Sequence, residues 1–192
     1  MARVLVGCEF SGTVRSAFRA AGHEAYSCDL LPAEDGGPHL QCDVREVLND
    51  NWDLAIFHPP CTHLAVSGAR HFHRKQAEQA DALEFVRALL NAPIPRIALE
   101  NPVSVISTRI RKPTQILQPY MFGHPESKKT CLWLVNLPAL RPTDIMRNRG
   151  RWENQTPSGQ NKLGPSPDRW KIRSRTYPGI ANAMAVQWGE IL

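Results

Sequence analysis

The sequence predicts an α/β fold, with a mostly parallel sheet covered by helices on both faces. Two observations carry this. Short apolar runs such as Arg3-Val4-Leu5-Val6-Gly7, Asp53-Leu54-Ala55-Ile56-Phe57 and Arg96-Ile97-Ala98-Leu99 read as strands buried on both faces. Between them lie segments whose apolar residues recur at helical spacing. Strands alternating with helices from the start of the chain favour parallel pairing through crossovers.

In order, Arg3 to Gly7 is the first strand. Thr13 to Ala21, with Val14, Ala17, Phe18 and Ala21 on one side, is a helix that Gly22 ends. Glu24 to Cys28 is the second strand, closed by Asp29. A Pro/Gly-rich loop, Pro32 to Pro38, leads to a short third strand at His39-Leu40-Gln41-Cys42, ending at Asp43. Asp53 to Phe57 is the fourth strand. Residues 58–74 read as a long functional loop, and Lys75 to Asn91 as a helix with a broad apolar face of Ala80, Leu83, Phe85, Val86, Leu89 and Leu90. Arg96 to Leu99 is the fifth strand and stops at Glu100-Asn101-Pro102. Beyond residue 108 the pattern weakens. Thr130 to Val135 is a strand, 136–172 is an irregular basic excursion, and Pro178 to Trp188 is a terminal helix. The expectation is a single domain over residues 1–192.

Composition narrows the classes. No apolar run approaches the roughly 18 residues of a membrane span. The five cysteines, Cys8, Cys28, Cys42, Cys61 and Cys131, are odd in number and form no Cys-x-x-Cys pair. A disulfide framework is therefore not expected, and a reducing cytoplasm fits. The net charge of +5 is unevenly spread: residues 1–108 carry 9 Lys+Arg against 13 Asp+Glu, and residues 109–175 carry 14 against 4. A basic stretch of that kind suits a polyanion such as a nucleic acid or nucleotide. A solvated basic face is the competing reading.

In an open parallel sheet, ligands bind at the carboxyl ends of the strands. The candidate functional residues fall there: Gly7, Ser11 and Gly12 after the first strand, Asp29 after the second, Asp43 after the third, Cys61 after the fourth and Glu100 after the fifth. The glycine spacing matches neither a dinucleotide fingerprint nor a P-loop. An acid after the second strand can hold a ribose diol. Cys61 follows Pro59-Pro60, whose fixed φ angles stiffen the segment. A thiolate there can attack an electron-poor carbon, and a protonated Glu100 can give a proton to a neighbouring ring nitrogen. Arg70 or Lys128 nearby would favour the thiolate. His58, His63, His71 and His73 around Cys61 do not match zinc spacings, so no metal is expected.

This ordered set resembles the DNA (cytosine-5) methyltransferases. Cys8-Glu9-Phe10-Ser11-Gly12 is similar to that family's first-motif loop. Pro59-Pro60-Cys61, with Ser67 and Gly68 following, resembles its catalytic Pro-Pro-Cys motif, and Glu100-Asn101-Pro102 its Glu-Asn-Val motif. Ser127-Lys128-Lys129-Thr130 falls where the family has Arg-x-Arg, with Arg173-Ser174-Arg175 as an alternative source of guanidinium groups. Ile180-Ala181-Asn182-Ala183 resembles the last motif, whose asparagine returns to the cofactor. The resemblance covers most of 3–135 and 173–188. It implies a Rossmann-like methyltransferase fold and transfer of a methyl group from S-adenosylmethionine to cytosine C5. Cys61 and Glu100 would be catalytic. Gly7, Glu9, Ser11, Gly12, Asp29, Asp43, Pro59 and Asn182 would bind the cofactor. Ser67, Arg70, Lys128, Lys129, Arg173 and Arg175 would bind DNA or a deoxycytidine nucleotide.

Family members carry a large target-recognition domain where this sequence has only about residues 136–172. The chain thus resembles the family's smaller, phage-type versions, and a partner subunit could supply recognition. The same chemistry on free deoxycytidine nucleotides, and a non-catalytic nucleic-acid-binding accessory protein with a relic site, are the alternatives.

Overall fold

A computed structural model describes residues 1–147 and 150–192; Asn148 and Arg149, within the expected basic excursion, lie outside the described residues. The strands are β1 (Arg3–Gly7), β2 (Glu24–Cys28), β3 (His39–Leu40), β4 (Leu54–Phe57), β5 (Ile97–Pro102), β6 (Gln115–Leu117) and β7 (Thr130–Val135). The α-helices are α1 (Thr13–Ala20), α2 (Gln76–Leu90), α3 (Ile106–Arg109), α4 (Arg169–Ser174) and α5 (Pro178–Gly189). The strands form one sheet in the order β3-β2-β1-β4-β5-β7-β6. The five strands β1 to β5 pair in parallel, while β7 runs antiparallel to both β5 and β6.

The period-2 alternation of strand side chains divides the core. Val4 and Val6 of β1, Leu54 and Ile56 of β4, Ala98 of β5 and Leu132 and Leu134 of β7 face one way. They pack with Val14 and Phe18 of α1 and with Ile180, Met184 and Trp188 of α5. Leu5, Ala55, Phe57, Ile97, Leu99, Cys131 and Trp133 face the other way, against Leu83, Val86, Leu89 and Leu90 of α2 and Ile106 of α3. Burial on both faces is why these strands read as continuous apolar runs. Both fully buried indoles find acceptors: Trp133 Nε1 donates to Arg111 O at 2.7 Å and Trp188 Nε1 to Pro138 O at 3.0 Å.

Several features differ from the sequence expectation: β3 is confined to His39–Leu40, and α4 begins at Arg169, inside the stretch read as irregular. β5 does not stop at Leu99. It continues through Pro102 because β7 pairs alongside, with Glu100 opposite Leu132 and Asn101 opposite Cys131. The stretch expected to be loop at 58–74 holds a 3-10 helix over Val66–Arg74. α3 and β6, of 4 and 3 residues, are too short to leave a periodic signal. Among the described residues no helix is long and apolar enough to cross a membrane.

Candidate active site

β1 lies between β2 and β4, so the chain leaves β1 on one side and returns on the other. The crevice at the carboxyl ends of these strands is the topological switch point where such sheets bind ligands. Gly7 closes β1 opposite Cys28 of β2 and Phe57 of β4. The loop that follows turns sharply, with Cys8 at φ 60 and Gly12 at φ 71. Gly12 is the residue before α1, and a Cβ there would also press on the Arg15 guanidinium. Glu9 is buried and reaches the start of that helix: its carboxylate accepts from Val14 N at 2.7 Å and Arg15 N at 3.2 Å. A carboxylate so placed satisfies otherwise unpaired donors and the positive end of the helix dipole. Ser11 Oγ lies 3.4 Å from the same carboxylate and 3.2 Å from Thr13 Oγ1.

Asp29 and Asp43 extend this cluster from the ends of β2 and β3. Asp29 Oδ1 accepts from Leu31 N at 2.9 Å. Asp43 accepts from Arg45 N at 2.9 Å, and its hydrogen bond with the Arg45 guanidinium holds its carboxyl below the usual range. Burial, then the charges of Asp29 and Asp43, push the Cys8 thiol up to about 12. The three side chains are therefore electrostatic neighbours. Cys28 and Cys42 lie 3.8 Å apart, sulfur to sulfur, beside them.

The second cluster lies at the ends of β4 and β5. Register sets it: Phe57 pairs with Leu99, so the next residues, His58 and Glu100, emerge side by side. His58 Nδ1 lies 3.1 Å from Glu100 Oε2. Alternation sends Asn101 to the opposite face of β5, where it is buried and donates from Nδ2 to Pro59 O at 2.9 Å. The Glu-Asn pair therefore serves two tasks, one side chain in the site and one anchoring the Pro-Pro-Cys segment. Beyond that segment, Cys61 O accepts from Leu64 N at 3.0 Å and Ala65 N at 2.9 Å, which fixes the turn under the thiol.

Cys61 is exposed at the rim. Burial of the sulfur environment and the charge of Glu100 raise its thiol above the ordinary value; Arg173 and Lys128 oppose them. Glu100 is only 15% exposed. Burial alone would raise its carboxyl, but the hydrogen bond with His58 and the charge of Lys128 outweigh it, leaving it below the usual carboxylate range. Lys128 is itself held by carbonyls, donating from Nζ to Arg173 O at 2.8 Å and Arg175 O at 3.3 Å. A small cavity at this point is lined by Glu100, Lys128, Thr130, Tyr177, Ile180 and Met184.

The structure thus brings Cys61, Glu100, Lys128 and Arg173 together, and Gly7, Cys8, Glu9, Gly12, Asp29 and Asp43 beside them. Arg175 pairs with Glu34 at 2.7 Å and Lys129 stands exposed. Ser67 and Arg70 lie on the exposed 3-10 helix, where Arg70 Nε donates to His71 Nε2 at 2.9 Å. Asn182 is on the exposed side of α5, while Ile180 and Met184 of that helix line the cavity. Sequence reasoning missed the tasks of His58 and Asn101, and it missed Trp170 of α4, whose ring packs 5.8 Å from that of Phe10. Among the described residues, no group of three or more His, Cys, Asp or Glu could hold a metal ion.

Strand order 3-2-1-4-5 with a switch point at β1 defines a Rossmann-like α/β fold. No family model and no curated protein matches the sequence. Among solved structures, the chain is similar to an E. coli prophage protein assigned as a DNA modification methyltransferase. That likeness has a TM-score of 0.50 at 15% identity and covers 76% of this chain and 52% of that one. Also similar are the S. pombe Dnmt2 methyltransferase (TM-score 0.49, 20% identity, 72% of this chain and 50% of that one) and a mutant of Spodoptera frugiperda DNMT2 (TM-score 0.47, 16% identity, 78% and 56%). The chain spans about half the length of these structures. At such identities the likeness is one of fold.

Proposed function

We propose that this chain transfers a methyl group from S-adenosylmethionine to C5 of cytosine in DNA, through a covalent adduct with Cys61. The observation that carries the proposal is that Cys61 and Glu100 follow the paired strand ends of β4 and β5, with Lys128 lining the same cavity as Glu100.

The donor set beside this pair fits S-adenosylmethionine. Asp29 and Asp43 offer carboxylates suited to ribose hydroxyls. The α1 N-terminus, which in a dinucleotide site receives a pyrophosphate, is taken by Glu9. That arrangement favours an adenosyl ligand without phosphate, and the local acids suit a cationic sulfonium. When bound, the cofactor supplies an electrophilic methyl group. The Cys61 thiolate adds to C6 while Glu100, protonated, hydrogen-bonds N3, so electron density collects at C5. Once C5 is methylated, loss of its proton and of the thiolate restores the ring. On a duplex the base must first leave the stack. Cationic residues of 109–175 would hold the phosphates.

Labelled S-adenosylmethionine incubated with duplex DNA, single strands and dCMP in parallel tests the proposal. Label is expected in DNA, and a 5-fluorocytosine substrate is expected to trap Cys61, because fluorine cannot leave as a proton does. Calorimetry that finds no binding of S-adenosylmethionine or S-adenosylhomocysteine, with or without DNA, would overturn it.

A further inference from the structure

We infer that His58 supplies Glu100 with the proton that Glu100 presents to the substrate ring; the inference rests on the cytosine-methylation reading above. His58 is held with little freedom. Its backbone N–H donates to Gly7 O at 2.9 Å, and the following Pro59 fixes the chain on its other side. Its side chain is 8% exposed. Nδ1 faces Glu100 Oε2 at 3.1 Å, whereas Nε2 is buried without a hydrogen-bond partner. A buried ring nitrogen left unpaired costs stability. Among the described residues, the ring's side-chain partner is the Glu100 carboxylate alone.

The chemistry requires such a partner. Glu100 is held ionised by its surroundings, yet it must be protonated to favour attack at C6. The neighbouring groups do not meet that need. Lys128, ahead of β7, stabilises the ionised carboxylate; the Cys61 thiol must itself lose a proton; Arg173 in α4 is a permanent cation. Tyr177, which lines the same cavity, commits its hydroxyl proton to Glu126, and His58 is the buried hydrogen-bond partner of Glu100 with a proton to give. As Cys61 adds to C6, a proton passes from His58 Nδ1 to Glu100, and one passes from Glu100 to N3. When the thiolate leaves, N3 returns its proton to Glu100 and Glu100 returns one to His58. The C5 proton passes to solvent as the thiolate leaves, so the His58–Glu100 pair is restored each turnover. His58 acts through Glu100 and is a positioning residue.

The test is the pH profile of single-turnover methyl transfer in the wild type and in His58→Asn, whose amide can keep the hydrogen bond but cannot relay a proton. The wild-type rate needs both a thiolate and a protonated His58. It should rise with pH and then level off once His58 has lost its proton. His58→Asn should be slower by about 10²-fold at the acid end, as expected for loss of an acid catalyst, and should keep climbing with pH. Equal profiles in an active wild type and His58→Asn would overturn this inference and leave the methyltransferase reading standing. No transfer by the wild type on any substrate overturns both. A folding-independent arm follows the His58 ring proton by NMR. Its titration should move to lower pH in Glu100→Gln, and an unmoved midpoint would overturn the inference.

Discussion

The Cys61 thiol is restrained by burial and by the Glu100 charge, and helped by Arg173 and Lys128. Because its pKa is raised, the reactive thiolate is the minor form at neutral pH and increases as pH rises. Alkylation of Cys61 by iodoacetamide should therefore accelerate about tenfold per pH unit through the neutral range. Glu100→Gln removes a charge that disfavours the thiolate, so it should speed alkylation at pH 7 while slowing methyl transfer. Lys128→Ala should slow both. Mass spectrometry of the modified peptide over time reads these rates, and slower alkylation in Glu100→Gln would contradict the electrostatics. Cys61→Ser should lower methyl transfer by at least about 10³-fold, as loss of a nucleophile does. Its cofactor affinity, measured by calorimetry, should be little changed, because the acids expected to hold the adenosine are at the ends of β2 and β3.

At the scale of elements, β5 shows what a sequence can and cannot display. Ile97, Ala98 and Leu99 are apolar because both faces of the strand are covered, and that run is legible. Glu100, Asn101 and Pro102 are strand only because Leu132, Cys131 and Thr130 pair beside them, a contact about thirty residues away that no local pattern encodes. The same limit separates the legible part of the site from the hidden part. Cys61 and Glu100 stand out as reactive residues directly after apolar runs. The tasks of His58 and Asn101 depend on register between β4 and β5 and on which face each side chain takes. α5 was legible as a helix, but its seat was not. Gly179, in its first turn, lies so close to the preceding loop that a Cβ would stand 1.9 Å from Phe122 O, and its N–H donates to His124 Nε2 at 3.0 Å. Gly179→Ala should destabilise the fold by about 1–3 kcal/mol, the usual cost of overpacking. Urea denaturation reads this, and an unchanged midpoint would show that the helix can shift to admit the methyl group.

For the whole molecule, the charge asymmetry becomes a surface question. Part of the cationic excess is spent inside the chain: Lys128 binds the carbonyls of Arg173 and Arg175, and Arg175 pairs with Glu34. Lys129 and the Arg173 side chain remain exposed. If DNA is the substrate, replacing these two by Ala should reduce the slope of log affinity against log salt by about 0.7–0.9 per lost phosphate contact, and Arg175→Ala should reduce it less. An unchanged slope in the double variant would assign these charges to a solvated face. Specificity follows from the segment between β7 and α4. Among its described residues the β-structure consists of isolated bridges, Phe122 with Asp144 and Gln155 with Asn161. Trp152 stacks on Tyr120 at 4.4 Å, which ties the segment back to the sheet domain. Reading a sequence in the major groove takes several side chains on a rigid element, and a segment of this length and composition does not build a second core to carry one. Methylation by this chain alone should therefore be relaxed, limited by at most a few base pairs around the cytosine. Bisulfite sequencing of treated DNA decides the point. A single modified motif of about five or more base pairs would overturn this prediction, since that much direct readout needs contacts to several consecutive base edges. Methylation of dCMP but not of DNA would move the substrate to the free nucleotide, for which no base-reading element is required.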